Sequence, residues 1–338
     1  MGTSKSRQPI WANLIHLSYN MWFDCSESLF KNKTNDAVAK PYLRFDNRLW
    51  RDILRAMSEA GMNMVVLDLG DAVAYRSHPE IAVKNAWTPA RLKKEIAAAR
   101  DFGIEIIPKL NFAASHDIWL GIYSRMVATE TYYRVCRDLI AEVCEIFDGP
   151  RFFHLGMDEE TAVNQIYSRL AVIRQHDLYW HDLNLLCDAV RKHGARPWIW
   201  SDYMWYHPLE FAKNMRRDVL QSNWWYSRVH PATVLVRTNP QVMDDPVQPR
   251  ANMNKPLRLK PVQAYLDLEK LRFDQIPTGG TYSCPENFRN TVAFCRKNIA
   301  AKRLYGFMQT SWLATLEKHR ERHMAAIAAV GAVIARNR

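Results

Sequence analysis

The sequence predicts a single (β/α)8 barrel over residues 1–338, and three observations carry that prediction. A helix, one glycine and a short apolar strand recur in that order; the strands are apolar runs without strict alternation; and eight of them fit into 338 residues. Strands of that kind belong to a parallel sheet buried on both faces, and eight strand–helix units in one chain close into a barrel.

The elements follow in order. A first strand is expected over 11–20. Trp50, Ile53, Leu54 and Met57 keep helical spacing, Gly61 follows, and 62–69 is the second strand. Leu92, Ile96 and Ala99 lead to Gly103 and a third strand over 104–110. Tyr132, Val135, Leu139, Val143 and Ile146 lead to Gly149 and a fourth over 152–155. Leu183, Leu186 and Val190 lead to Gly194 and a fifth over 197–200. Four of the twelve glycines thus stand where a helix must stop in a left-handed conformation, which glycine adopts with least strain. Later strands are expected over 219–224, 276–282 and 305–310, with helices over 261–273, 287–300 and 320–336 and a short basic one near 209–217. Residues 229–260 carry five prolines and are too long for an ordinary connection. They read as an elaborated loop after strand six on the active face, or equally as a surface insertion. A doubly wound sheet would usually carry a glycine-rich phosphate loop early, and no G-x-G-x-x-G or G-x-x-x-x-G-K occurs.

Composition narrows the function. Lys and Arg number 46 against 35 Asp and Glu, a formal charge of +11, but the basic residues alternate with acids and read as a solvated surface rather than a nucleic-acid footprint. The apolar run ending at Ala335 is well short of the ~20 residues of a membrane span. No apolar stretch of secretory-signal length follows the basic N-terminus, which leaves a cytoplasmic location and a removed signal both open. The six cysteines Cys25, Cys136, Cys144, Cys187, Cys284 and Cys295 lack zinc or redox spacing and read mostly as core residues. His16 and His154 do not form a complete metal-ligand set, which ranks a metal-dependent hydrolase low.

Barrel enzymes draw reacting groups from the C-terminal ends of the strands. Those ends gather Asp68, Asp71, Asn111, Asp158-Glu159-Glu160, Asp202, Trp200, Trp224, Tyr282 and Trp312. Carboxylates, amides and indoles together suit a carbohydrate, which offers apolar C–H faces and a rim of hydroxyls. Hydrolysis of a glycosidic bond needs a proton donor and a group that stabilises charge at the anomeric carbon. Adjacent carboxylates can divide that work because like charges push their pKa values apart. An arbitrary Asp-Glu-Glu run more often stabilises a helix N-terminus, so spacing alone does not decide.

The wider context does. The segment Phe153-His154-Leu155-Gly156-Met157-Asp158-Glu159 resembles the H-x-G-x-D-E motif that ends strand four in family 20 glycoside hydrolases, the β-N-acetylhexosaminidases. Trp198-Ile199-Trp200-Ser201-Asp202-Tyr203-Met204 is similar to that family's W-x-D-M strand-five end, and 108–116 to its strand-three segment ending in Gly-His. Trp224, Tyr282 and Trp312 fall where the family places an aromatic box and an acetamido-contacting tyrosine.

The resemblance implies retaining, substrate-assisted hydrolysis of terminal β-linked N-acetylhexosamine, with no metal or organic cofactor. Glu159 would be the general acid and then base, and Asp158 would orient the substrate's 2-acetamido group, which attacks the anomeric carbon itself. His154 would buttress the acidic pair by a hydrogen bond. Trp200, Trp224 and Trp312 would wall the acetamido pocket, and Asn111, His116, Asp202 and Tyr282 would contact the sugar. The chain departs from the pattern at three places: no arginine stands in His16-Leu17-Ser18-Tyr19-Asn20-Met21-Trp22, Ser115-His116 replaces Gly-His one residue later, and Trp312-Leu313-Ala314 replaces Trp-Gly-Glu, with Glu317 too far along to substitute. Asp68, Asp71 and Asn111 are the candidates to replace the missing hydroxyl contacts. A barrel glycosidase for another sugar and a carbohydrate-binding protein without catalysis are the alternative readings.

Overall fold

A computed structural model describes residues 8–24, 36–166, 168–237 and 256–336. Eight parallel strands, β1 (Ile10–His16), β2 (Met64–Asp68), β3 (Glu105–Lys109), β4 (Phe152–His154), β5 (Arg196–Trp200), β6 (Leu220–Ser222), β7 (Thr278–Gly280) and β8 (Gly306–Thr310), form one sheet in the order β6-β5-β4-β3-β2-β1-β8-β7. The two ends meet. Ile276 N–H donates to Gln221 O at 2.9 Å and Thr278 N–H to Asn223 O at 2.8 Å, so the sheet closes into a barrel between β6 and β7.

Helices wrap this cylinder: α1 (Asn47–Glu59), α2 (Pro89–Asp101), α3 (Glu130–Ile146), α4 (His176–Lys192), α5 (Tyr203–Tyr206), α6 (Pro208–Asn214), α7 (Pro231–Arg237), α8 (Pro256–Lys270), α9 (Asn287–Asn298) and α10 (Arg320–Ala335). Their starts are set by side chains that accept orphan backbone N–H groups, Asp46 from Arg48 and Leu49, Thr88 from Arg91 and Thr129 from Tyr132. Four stops fall on the expected glycines, Gly61, Gly103, Gly149 and Gly194, with φ between 70° and 78°. The amphipathic stripe of α1 buries Leu49, Trp50, Ile53, Leu54 and Met57 against the strands.

Side-chain alternation divides the strands between two cores. Trp11, Ile15, Val65, Leu67 and Ile199 point out under the helices, whereas Ala12, Leu14, Val66, Ile107, Phe152 and Trp198 fill the barrel interior. Because both sets are buried, the strands lack the polar face of a half-exposed sheet.

Some boundaries differ from expectation. The first strand ends at His16 rather than at residue 20, because Leu17 and Ser18 N–H both turn onto Asp68 O. The helix expected from 261 begins at Pro256, with Pro261 inside it and its carbonyl taking a bond from Asn223 Nδ2 at 2.7 Å. A proline suits a first turn, and here the earlier of two prolines holds that place. The segment 229–260 opens with α7 and runs into the start of α8; residues 238–255 lie outside the described residues, as does Cys25. The other five cysteines are free and buried.

Candidate active site

The site rises from a polar layer inside the barrel. Register brings His16 beside Asp68, Asp68 beside Lys109 and Lys109 beside His154, four titratable side chains from four adjacent strands at one level. All are buried, and Lys109 Nζ forms an ion pair with Asp68 Oδ2, which also lies 3.3 Å from His16 Nδ1. Burial would raise the Asp68 pKa, but the Lys109 charge and the His16 hydrogen bond hold it low. A buried pair of this kind is costly to break, since either partner alone would be an uncompensated charge.

One level higher, the chain leaving β4 is tightly bent. Gly156, Met157 and Glu159 all have positive φ, 73°, 69° and 56°, a conformation that non-glycine residues hold only where their surroundings impose it. At Gly156 a Cβ would overlap the Asn111 side chain, so the strand-three and strand-four ends approach through a gap only glycine leaves. The bend sends the three acids to different places. Asp158 is buried and accepts from Asn111 Nδ2 at 2.9 Å, with Ser115 Oγ donating to its carbonyl at 2.8 Å. Glu159 opens to the mouth, its side chain 30% exposed. Glu160 turns away into a buried ion pair with Arg174, which also meets Asp182 at 3.1 Å. The structure thus separates Glu159 from its neighbour Glu160, which the acid run alone does not.

His116 stands between the first two acids, Nδ1 3.5 Å from Asp158 Oδ1 and Nε2 3.5 Å from Glu159 Oε2. Burial would lower its pKa, yet the two carboxylates raise it above the usual histidine value. The carboxyls respond in opposite directions. For Asp158 burial acts upward, but the His116 charge and hydrogen bond, the Lys109 charge and the Asn111 bond bring it to about 2. Glu159 is pushed up to about 6, first by burial and then by the Asp158 charge, against the pull of His116. The two carboxyls are pushed apart, one low and one raised toward neutrality, the division that acid catalysis next to a charge stabiliser requires.

Asp202, at the end of β5, is a third buried carboxyl. Its Oδ2 accepts the Glu159 N–H at 2.8 Å, while Oδ1 has no hydrogen-bond partner among the described residues. Burial and the nearby Asp158 and Glu159 charges push its pKa well above the carboxylate range.

Aromatic rings form the opposite wall. Trp312 packs 5.9 Å from both Trp200 and Trp22, and Trp22 meets the His116 ring edge-on at 4.8 Å. Tyr226 links Trp224 (5.3 Å), Tyr282 (5.3 Å) and Trp312 (6.2 Å), and its hydroxyl takes a bond from Thr310 Oγ1 at 2.9 Å. Tyr282 lies at the rim, 45% exposed.

Of the expected residues, Tyr282 is exposed and Glu159, Trp224 and Trp312 are half-buried at this end of the barrel, Asp158, Asn111, His116 and Asp202 are buried beside them, and Trp200 lies wholly buried in the barrel interior, where it packs on Trp312 from below. His154 sits beneath the mouth. Its Nδ1 accepts from Gly156 N–H at 3.1 Å and its ring packs on Trp198 and Trp200, so it supports the bend rather than bonding to either acid. Asp68 is committed to Lys109. Asp71 is held by Ser18 Oγ at 2.6 Å and Asn20 Nδ2 at 2.8 Å. Trp22 and Tyr226 were not singled out by sequence; Tyr226 extends the Trp224-Trp225 pair and that run is its only local signal. Arg44, in the β1–α1 connection, donates to Asn20 Oδ1 at 2.9 Å, bringing a guanidinium to the side where strand one itself offers none.

Two sets of side chains among the described residues bring possible metal-ligating atoms within 4.8 Å of one another: His116, Asp158 and Glu159 in the mouth, and His176, His207 and Glu210 outside it. A groove of about 870 Å³ along α3 includes Arg76, Glu142 and Glu145 but none of the strand-end residues of the mouth. Arg76 pairs there with Glu142 and Glu145.

No protein-family model matches the sequence, and no curated protein does. Solved structures do match in shape. The chain is similar to the chitobiase of Flavobacterium johnsoniae (TM-score 0.58, 18% identity, over 84% of this chain and 46% of that one). It is also similar to a β-N-acetylhexosaminidase from Bacteroides fragilis (0.61, 13%, 96% and 65%) and to Dispersin B (0.53, 13%, 97% and 99%). The chain spans less than two thirds of the length of the first two. At these identities the likeness is one of architecture: the chain is a (β/α)8 barrel with the fold found in these solved structures.

Proposed function

We propose that the protein is a glycoside hydrolase, a divergent relative of the family 20 enzymes, that removes terminal β-linked N-acetylhexosamine with retention of configuration. The observation that carries this reading is the His116-bridged pair of Asp158 and Glu159, one carboxyl drawn down to about 2 and the other pushed up to about 6, beside a cluster of aromatic rings. The architecture shared with β-N-acetylhexosaminidases supports it.

In this reading the sugar ring lies against the indoles with its 2-acetamido group directed at Asp158. Glu159 donates its proton to the glycosidic oxygen as that bond breaks. The acetamido oxygen forms a bond to the anomeric carbon, and Asp158 stabilises the N–H of the resulting oxazolinium ring. Water then opens that ring, giving its proton to Glu159 and restoring the acid. No enzyme nucleophile is consumed, so the carboxyl separation rule for two-carboxylate glycosidases does not apply.

The test is dependence on the acetamido group. An aryl N-acetyl-β-glucosaminide or galactosaminide should be cleaved, whereas the matching aryl β-glucoside, which lacks the internal nucleophile, should turn over at least about a hundredfold more slowly. Equal rates on both would replace this reading with a barrel glycosidase of another sugar specificity. Binding of N-acetylated oligosaccharide without any turnover would leave only a carbohydrate-binding protein.

A further inference from the structure

Outside the mouth, the first turn of α4 meets the corner between α5 and α6. His176 opens α4, His207 occupies the corner and Glu210 lies in the first turn of α6. Glu210 Oε1 is 2.6 Å from His176 Nδ1 and 3.9 Å from His207 Nδ1, and one ligand atom from each of the three lies within 4.8 Å of the others. A tetrahedral zinc site with bonds of about 2.1 Å spaces its ligand atoms by about 3.4 Å. The observed spacings straddle that value, and His176, 64% exposed, has room to adjust.

The surroundings of the three side chains are more built than a surface ion pair needs. The other oxygen of Glu210 accepts from Tyr203 Oη at 3.2 Å and Trp180 Nε1 at 3.4 Å, which fixes the carboxylate with Oε1 toward both imidazoles. The Tyr203 hydroxyl also takes the His176 N–H at 3.0 Å, so one buried tyrosine sets both sides of the cluster. The His207 ring stacks on Tyr203 at 4.5 Å, and Tyr203 stacks on Tyr179 at 3.8 Å. His176 is held at φ 52°, a left-handed conformation. An exposed pair gains little by itself. Outer partners that orient an imidazole and a carboxylate are what metal sites require.

We propose that His176, His207 and Glu210 form a binding site for a divalent transition metal of the zinc class, with water completing the coordination. Two imidazoles and a carboxylate suit Zn2+ better than the oxygen-seeking Mg2+ or Ca2+. The metal would join the loop after β4, which carries Glu159, to the segment after β5, which carries Asp202. It is a clamp between two catalytic loops, and it stands or falls independently of the sugar chemistry.

The test is to strip the full-length protein with chelator and titrate it with Co2+ and then Zn2+. One equivalent of Co2+ should give visible d–d bands that Zn2+ displaces. The midpoint of thermal unfolding should rise by about 4 °C at a Zn2+ concentration a hundredfold above its dissociation constant. His207→Ala and Glu210→Gln should each weaken binding by about a hundredfold or more, whereas His116→Ala, which dismantles the set in the mouth, should leave the bands in place. The proposal is overturned if neither ion binds more tightly than about 0.1 mM. It is equally overturned if the bands survive His207→Ala or vanish in His116→Ala.

Discussion

The two halves of the barrel mouth are built from different chemistry. The ends of β3, β4 and β5 supply Asn111, His116, Asp158, Glu159 and Asp202, side chains that hold, share or exclude protons. Those of β6, β7 and β8 read Asn223-Trp224-Trp225-Tyr226, Thr281-Tyr282 and Thr310-Ser311-Trp312, rings and hydroxyls without a carboxylate. The first half also concentrates backbone strain, with Gly156, Met157 and Glu159 at positive φ within four residues; the second has Trp312 alone, at 49°. Groups that must meet a reacting atom at one angle need imposed geometry, whereas a ring that covers an apolar face tolerates small shifts. The contrast predicts that the acid half governs the rate and the ring half governs binding.

The widest separation should come from one substitution in each half. Under the proposed mechanism Glu159→Gln takes away the proton donor and is expected to lower kcat by about 10²–10⁴-fold on an aryl N-acetyl-β-glucosaminide, with little change in KM. Tyr282→Ala takes a half-exposed ring from the rim, where loss of an aromatic contact is worth about 0.5–1.5 kcal/mol, and should raise KM roughly three- to tenfold with kcat nearly unchanged. Steady-state kinetics on both variants decide it. A Tyr282 variant that loses kcat as heavily as Glu159→Gln would erase the distinction between the halves.

A smaller effect sharpens how the acid half works. Activity through a protonated Glu159 should fall as pH rises past about 6 and fail on the acid side only as Asp158 protonates near 2. The His116 charge draws both values down, so its removal must move both upward. In His116→Asn the alkaline limb of kcat/KM should shift to higher pH by about one unit, and the acid limb should rise with it. A pH–rate profile unmoved in both limbs would mean that His116 contributes no charge to the pair.

Much of this was legible in the sequence because it is written locally. Helical spacing before Gly61, Gly103, Gly149 and Gly194 marks four strand starts within a few residues of each joint, and the two carboxylates are neighbours in the chain. What escaped depends on distant segments. Lys109 reads as one polar residue in a strand until register sets it against Asp68, and Arg44 approaches strand one from the following connection. His154 looks like a partner of the acids because it is four residues away, but a strand residue at that position points into the barrel interior, below the bend. The His176, His207 and Glu210 cluster joins two helix ends that only packing brings together.

Asp202→Asn gives the smallest expected effect and the finest cut within the acid half. Three carboxyls lie close together there, and they cannot all be ionised at modest cost. Burial and the Asp158 and Glu159 charges push the Asp202 pKa upward, and its visible task is to accept the Glu159 N–H and hold that residue at φ 56°. A neutral carboxyl and an amide offer the same carbonyl oxygen. Asp202→Asn should therefore retain kcat/KM within about threefold, while Asp202→Ala leaves a part-buried N–H without its acceptor and should cost about tenfold. If the amide variant is as slow as the alanine variant, Asp202 acts through a charge, and Glu159 would no longer be the group whose proton the site is built to keep.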